Sequence, residues 1–131
     1  MRHLSTIICD DIRYERGNKH TIVGVYEEAI VFQKLPARLQ RFGIYQRWED
    51  VSDAGPKALV RIRGVPVGEG LELELRTEAD REGNSKLKAV IAISFGPVGF
   101  VAEGLLEITT EWPSPGVSYT HTMEVRTGKV E

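Results

Sequence analysis

The chain has 131 residues, 41% of them hydrophobic and 27% charged, enough apolar material for a core that removes about two-thirds of the unfolded surface from water. These proportions exclude a chain disordered throughout. The 17 basic and 19 acidic residues leave a formal charge of −2 and are spread along the whole length, so no broad positive field is offered to nucleic acid.

Cys9 is the only cysteine, which excludes an intrachain disulfide and any zinc site built on several thiolates, and it fits a reducing compartment. The start, Met1-Arg2-His3-Leu4-Ser5, lacks a secretory apolar core, and Ile7-Ile8-Cys9 stops at Asp10-Asp11. Nothing approaches the about 18 continuous apolar residues of a membrane span. A cytoplasmic location is expected.

In chain order, strands are expected at about 3–9, 19–26, 28–33 and 40–49. Leu35-Pro36-Ala37-Arg38-Leu39-Gln40 reads as a turn or one short helical turn before the Phe42–Ile44 strand. Over 57–65, Val60 and Ile62 alternate with Arg61 and Arg63; over 70–77, Leu71, Leu73 and Leu75 alternate with Glu72, Glu74 and Arg76. A helix would scatter those leucines around its circumference, whereas a strand gathers them on one face and leaves the charges in water. Over 85–95, Leu87, Ala89, Ile91, Ile93 and Phe95 share a face, with Lys86 and Lys88 opposite. Two long antiparallel strands follow. Residues 98–110 set Phe100, Ala102, Leu106 and Ile108 against Glu103, Glu107 and Thr109, and residues 117–126 set Val117, Tyr119, Met123 and Val125 against Ser118, Thr120, Thr122 and Glu124.

Turn residues separate the runs: Gly17-Asn18, Asp53-Ala54-Gly55-Pro56, Pro66-Val67-Gly68, Glu82-Gly83-Asn84 and Pro113-Ser114-Pro115-Gly116. Glycine and asparagine supply positive φ, and proline fixes φ while refusing a ladder hydrogen bond. The expected fold is all-β: a single-domain antiparallel two-layer β-sandwich with about eight or nine strands and little helix. Extending the first strand places Asp10 on a face with Leu4, Thr6, Ile8, Ile12 and Tyr14. A bulge near Asp10-Asp11 would relieve this conflict.

The run Ile8-Cys9-Asp10-Asp11-Ile12-Arg13, followed by Glu15, Gly17 and Lys19, then Ile22-Val23-Gly24-Val25-Tyr26 and Leu35-Pro36, resembles a family of small bacterial proteins described as a domain of unknown function. The likeness covers residues 8–45 and beyond that rests on overall pattern. It implies a β-rich, Ig-like fold and carries over no catalytic residue.

Asp10, Asp11 and Glu15 are the tightest acidic group, and such oxygens could hold Mg²⁺ or Ca²⁺ if turned to one point, although the order of a calcium loop is missing. The bland alternative is that they accept backbone hydrogen bonds or pair with Arg13, Arg16 or Lys19. His3, His20 and His121 lack the short spacing that places two imidazoles on one metal, though strands could bring them together. Cys9 beside two carboxylates is poorly placed as a nucleophile, because neighbouring negative charge disfavours the thiolate. The glycines at 64, 68, 70, 96, 99 and 104 form no strand-to-helix phosphate loop, and no serine sits in a nucleophile elbow.

Arg38, Arg41, Arg47, Arg61 and Arg63, with Tyr45 and Trp48, have the composition of a single-strand nucleic-acid surface. Interspersed Glu49, Asp50 and Glu72 and the negative net charge favour a solvated sheet face instead. Trp48 and Trp112 read either as core plugs or as interface anchors.

Two functions remain. The first is a non-catalytic interaction module that binds another protein or itself, with the hairpin residues Cys9, Asp10, Asp11, Arg13, Glu15 and Lys19 as its least ordinary part. The second is a small-ligand-binding domain or metal-dependent enzyme whose site the sandwich assembles. No cofactor, nucleic acid or membrane partner is expected.

Overall fold

Alternation of apolar and polar side chains produces the strands, and their apolar faces meet. In the computed structural model, residues 1–17, 19–51, 57–76 and 88–129 are described. They form β1 (Arg2–Glu15), β2 (Lys19–Tyr26), β3 (Ala29–Phe32), β4 (Ala37–Leu39), β5 (Phe42–Glu49), β6 (Lys57–Arg63), β7 (Leu71–Arg76), β8 (Lys88–Phe95), β9 (Val98–Phe100), β10 (Gly104–Trp112) and β11 (Val117–Thr127). One 3₁₀ turn at Val65–Val67 is the single helical element among them. The expected turn residues Asn18, 53–56 and 82–84, and the strand start at 85–87, lie outside the described residues.

Two sheets stack. One has the order β2-β1-β5-β8 and the other β3-β11-β10-β6-β7, while β4 and β9 form a separate two-stranded ribbon. Ile8, Phe42 and Ile44 from the first sheet pack with Val60, Ile62, Leu106, Ile108, Met123 and Val125 from the second, closed at one end by Val98 and Phe100 of the ribbon. A second cluster towards the other end holds Trp48, Ala58, Ala89, Ile91 and Trp112. This is the β-sandwich that the alternation predicts.

Three details depart from the sequence reading. Residues 98–110 are two strands rather than one, because the chain leaves the extended path at Val101–Glu103 and re-enters at Gly104 with φ of 150°. The Leu35–Gln40 segment contains β4, too short to show a period, and this brings the strands to eleven. The third is β3, which runs parallel to β11 through Ala29↔Glu124 to Phe32↔Thr127 in an otherwise antiparallel structure. A strand that crosses from the first sheet to the second after Glu27-Glu28 arrives beside the carboxyl-terminal strand, a pairing partner some hundred residues away that local alternation does not specify.

Between the two clusters lies a polar contact that spans the sheets. Gln46 of β5 and Thr110 of β10 are fully buried. Gln46 Oε1 accepts hydrogen bonds from Thr110 Oγ1 at 2.8 Å and from Trp48 Nε1 at 3.2 Å. Each group sits where its strand's alternation demands an inward side chain, and pairing offsets the cost of taking it from water. Gln46 Nε2 and Trp112 Nε1 have no partner among the described residues.

Candidate functional site

The hairpin of β1 and β2 is the part of the sandwich that departs most from a flat sheet. Residues 2–9 of β1 pair with β5, and residues 8–15 pair with β2. Beyond Cys9 the first strand therefore outruns its neighbour β5 and passes over the end of that strand. Gly43 permits this approach: a β-carbon there would lie 2.5 Å from Cys9 Sγ and 3.2 Å from Ile12 Cγ1. Ile12 and Cys9 are consequently buried, and the Tyr14 hydroxyl reaches across to donate to the Ala92 carbonyl of β8.

The expected bulge at Asp10-Asp11 is absent. The pairing Cys9↔Val25 and Asp11↔Val23 continues without a shift, and the irregularity of β1 falls instead between His3 and Ser5. Strain around Asp10 is taken up on the partner strand, where Gly24 has φ of 68° and a β-carbon would collide with the Asp10 carboxylate. Only glycine occupies that backbone region cheaply.

The acidic residues diverge. Asp10 accepts from the Tyr26 hydroxyl, and Glu15 accepts from Thr21 Oγ1 at 3.2 Å. Asp11 accepts from the Ile12 N–H at 2.9 Å and from Ser94 Oγ, with Arg41 Nε 3.6 Å away. Ser94 lies two strands from β1, so this bond ties the hairpin to β8 across Gly43. The Ser94 hydroxyl, the Ile12 amide and the Arg41 and Arg13 charges hold the Asp11 carboxyl below the usual carboxylate range. Among the described residues no group of three His, Cys, Asp or Glu side chains is placed to hold a metal. Arg13 and Lys19 stand opposite Thr21 and Glu15 in the hairpin ladder and are exposed.

Burial, reinforced by the Asp10 charge, pushes the Cys9 thiol up to about 11, so it stays protonated at neutral pH and is unsuited to nucleophilic work. Two of the three histidines do come together from different sheets. His3 of β1 stacks on Tyr119 of β11 with ring centroids 3.6 Å apart and meets Trp48 edge-on at 5.2 Å. Its Nε2 lies 2.6 Å from Thr6 Oγ1. Burial and the nearby His121 lower the His3 pKa, and burial lowers that of His121. His20 stands elsewhere, edge-on to Tyr14 and Tyr45 at 5.0 and 5.5 Å.

Trp48 and Trp112 are each 1% exposed and meet edge-to-face at 5.8 Å; they occupy the core and present no surface to a partner, which replaces the interface alternative. The five arginines do not share a surface. Arg47 alternates outward from the first sheet, and Arg61 and Arg63 alternate outward from the second. Arg61 bridges Glu72 at 2.8 Å and Glu111 at 2.7 Å.

Two surface features were not visible in the sequence. A groove of about 400 Å³ runs between the outer strands β8 and β7, with Leu73, Leu75, Ile93 and Phe95 on its walls and Tyr14 and Arg41 at its rim. The other is the outer strand β2, whose Val23 and Val25 are 38% and 50% exposed. Strand order decides both, and alternation within one strand carries no information about it.

A family model described as a family of unknown function, DUF6941, matches residues 4–111, and the chain belongs to that family. No curated protein and no solved structure matches it.

Proposed function

We propose that this member of DUF6941 is a non-catalytic interaction module, one domain that binds a partner through a sheet edge. The observation that carries the reading is β2: it is outermost in its sheet, eight residues long, and has two exposed valines. An outermost strand has a row of backbone N–H and C=O groups to which another strand can add.

The other three outer strands of the two stacked sheets carry protection that β2 lacks, and the ribbon strands β4 and β9 have only three residues each. β3 has only four residues, β7 carries Glu72, Glu74 and Arg76, and the Ala92 carbonyl of β8 is occupied by Tyr14. Shortness, charge and cover are the ordinary means of blunting an edge. Between Lys19 and Glu27 the chain has no aspartate, glutamate, lysine or arginine. The candidate acids, each engaged by protein donors, and the protonated Cys9 support a binding role over a catalytic one. A cytoplasmic setting suits a buried, reduced Cys9, and arginines divided between opposite faces support no nucleic-acid role.

The test is affinity capture from the native host by the wild-type chain and by Val23→Lys, with circular dichroism to confirm folding. Loss of the wild-type partner in the folded variant supports the edge reading. An unchanged set of partners overturns it.

The groove between β8 and β7 favours a second reading, a site for a small amphiphile with an anionic group. Its apolar walls would take the apolar part and Arg41 the charge. A thermal-shift series with fatty acids of increasing length, repeated on Arg41→Gln, tests this. Stabilisation that grows with chain length and weakens in the variant supports the reading; a flat response removes it.

A further inference from the structure

We infer that the strand added to β2 is the β2 of a second copy of this chain, in an antiparallel two-fold pairing centred on Val23. This rests on the edge reading above and specifies its occupant.

Symmetry and sheet geometry restrict the register. In a two-fold antiparallel pair, residue i of one strand stands opposite residue j of the other with a constant sum of i and j. Residues directly opposite share a face of the continuous sheet, so odd positions must meet odd positions. In β2 the odd positions, Lys19, Thr21, Val23 and Val25, share a face with Cys9, Asp11, Arg13 and Glu15 of β1.

Charge selects among the allowed registers. Lys19 and Glu27 bracket the uncharged stretch from opposite ends, both are exposed, and among the described residues neither belongs to an ion pair. Centring on Val23 brings Lys19 of each copy beside Glu27 of the other, one residue past the end of β2 at Tyr26, so the attraction is made twice. The same register sets Val23 against its symmetry mate and Thr21 against Val25, covering the exposed valines. Ile22 then stands opposite Gly24, which has no side chain to crowd the axis. Moving the axis by one residue, to Ile22 or Gly24, keeps the faces matched but removes Lys19 from Glu27; Lys19 would then meet Val25 or Ala29.

The product is one sheet in the order β8-β5-β1-β2-β2-β1-β5-β8 running through both copies, with β2 no longer an edge. The pairing leaves the core untouched, and Gly24, whose φ of 68° departs from an extended strand, lies within the paired stretch.

Sedimentation velocity of the purified full chain over a range of concentrations, in buffer of low ionic strength, tests the inference. The variants are Val23→Lys, Lys19→Glu, Glu27→Lys and the double exchange Lys19→Glu/Glu27→Lys, all on the surface. The expected result is a wild-type dimer, a monomer for Val23→Lys, and for each single charge reversal a dimer dissociation constant raised about tenfold or more. The double exchange restores affinity to within a few-fold of wild type. A wild-type chain that stays monomeric overturns the second copy as occupant; if Val23→Lys still loses a captured partner, the edge reading survives that failure. A dimer insensitive to Val23→Lys, or one whose single reversals are not rescued by the double exchange, overturns the β2 pairing and its register.

Discussion

Single side chains in this sandwich are held by identifiable partners, and each partner gives a measurable consequence. Gln46 accepts from Trp48 and Thr110 in the core; Gln46→Leu leaves both donors buried without an acceptor and should cost about 1–3 kcal/mol in urea denaturation. Adding Thr110→Val should recover part of the loss, since one of the two orphaned donors is removed. The Cys9 thiol, raised from an ordinary value of 9.0 to about 11, favours the fold in its neutral form. That contribution is complete below pH 9 and disappears as pH rises through about 11, whereas Cys9→Ala lacks it. Alkylation of native Cys9 at pH 8 should be far slower than in the unfolded chain. His3 and His121 have lowered pKa values, so the unfolded chain takes up protons first. Their contribution is complete above about pH 6.5 and falls as the pH drops. Asp11, also lowered, loses its contribution at a separate and more acid step, as pH falls below the ordinary carboxylate range through its folded value. A pH titration of stability on His3→Gln should lessen the first decline and leave the second.

At the scale of elements, alternation was enough to read where the long strands lie and which face of each is buried. Val60 and Ile62, Leu106 and Ile108, and Met123 and Val125 all point inward as their period of two requires. What the period misses is set by single backbone positions or by distant pairing. Gly43 lets β1 fold over β5, and β3 finds its neighbour β11 at the far end of the chain. The hairpin was legible as unusual from the crowding of Asp10 and Asp11, but the cause was displaced. The cost is carried by Gly24, not by a bulge. Gly24→Ala should therefore destabilise the protein by about 1–2 kcal/mol from backbone conformation alone, with some addition from contact with Asp10. The measurement is the shift in denaturation midpoint against Gly17→Ala, where φ is also positive but no atom stands within 4 Å of an added β-carbon. Equal costs would show that crowding by Asp10 contributes nothing.

For the whole molecule, strand order is the property that composition and alternation leave open, and it is what creates candidate surfaces. Two stacked sheets have four outer strands among the described residues; three are short, charged or covered, and β2 exposes two valines where the covered β8 exposes one, Val90. The interaction reading depends on that contrast. Surface ion pairs are screened as salt rises, so association through Lys19 and Glu27 should weaken with added sodium chloride while the fold persists. Hydrogen exchange of the purified chain, followed residue by residue above and below the dissociation constant, tests the claim that β2 is the binding edge most directly. The account predicts that amides within Thr21–Val25 lose protection on dilution while those of β7 and β8 keep theirs. Protection of β2 that does not change with concentration, alongside a change at β7 or β8, would contradict it.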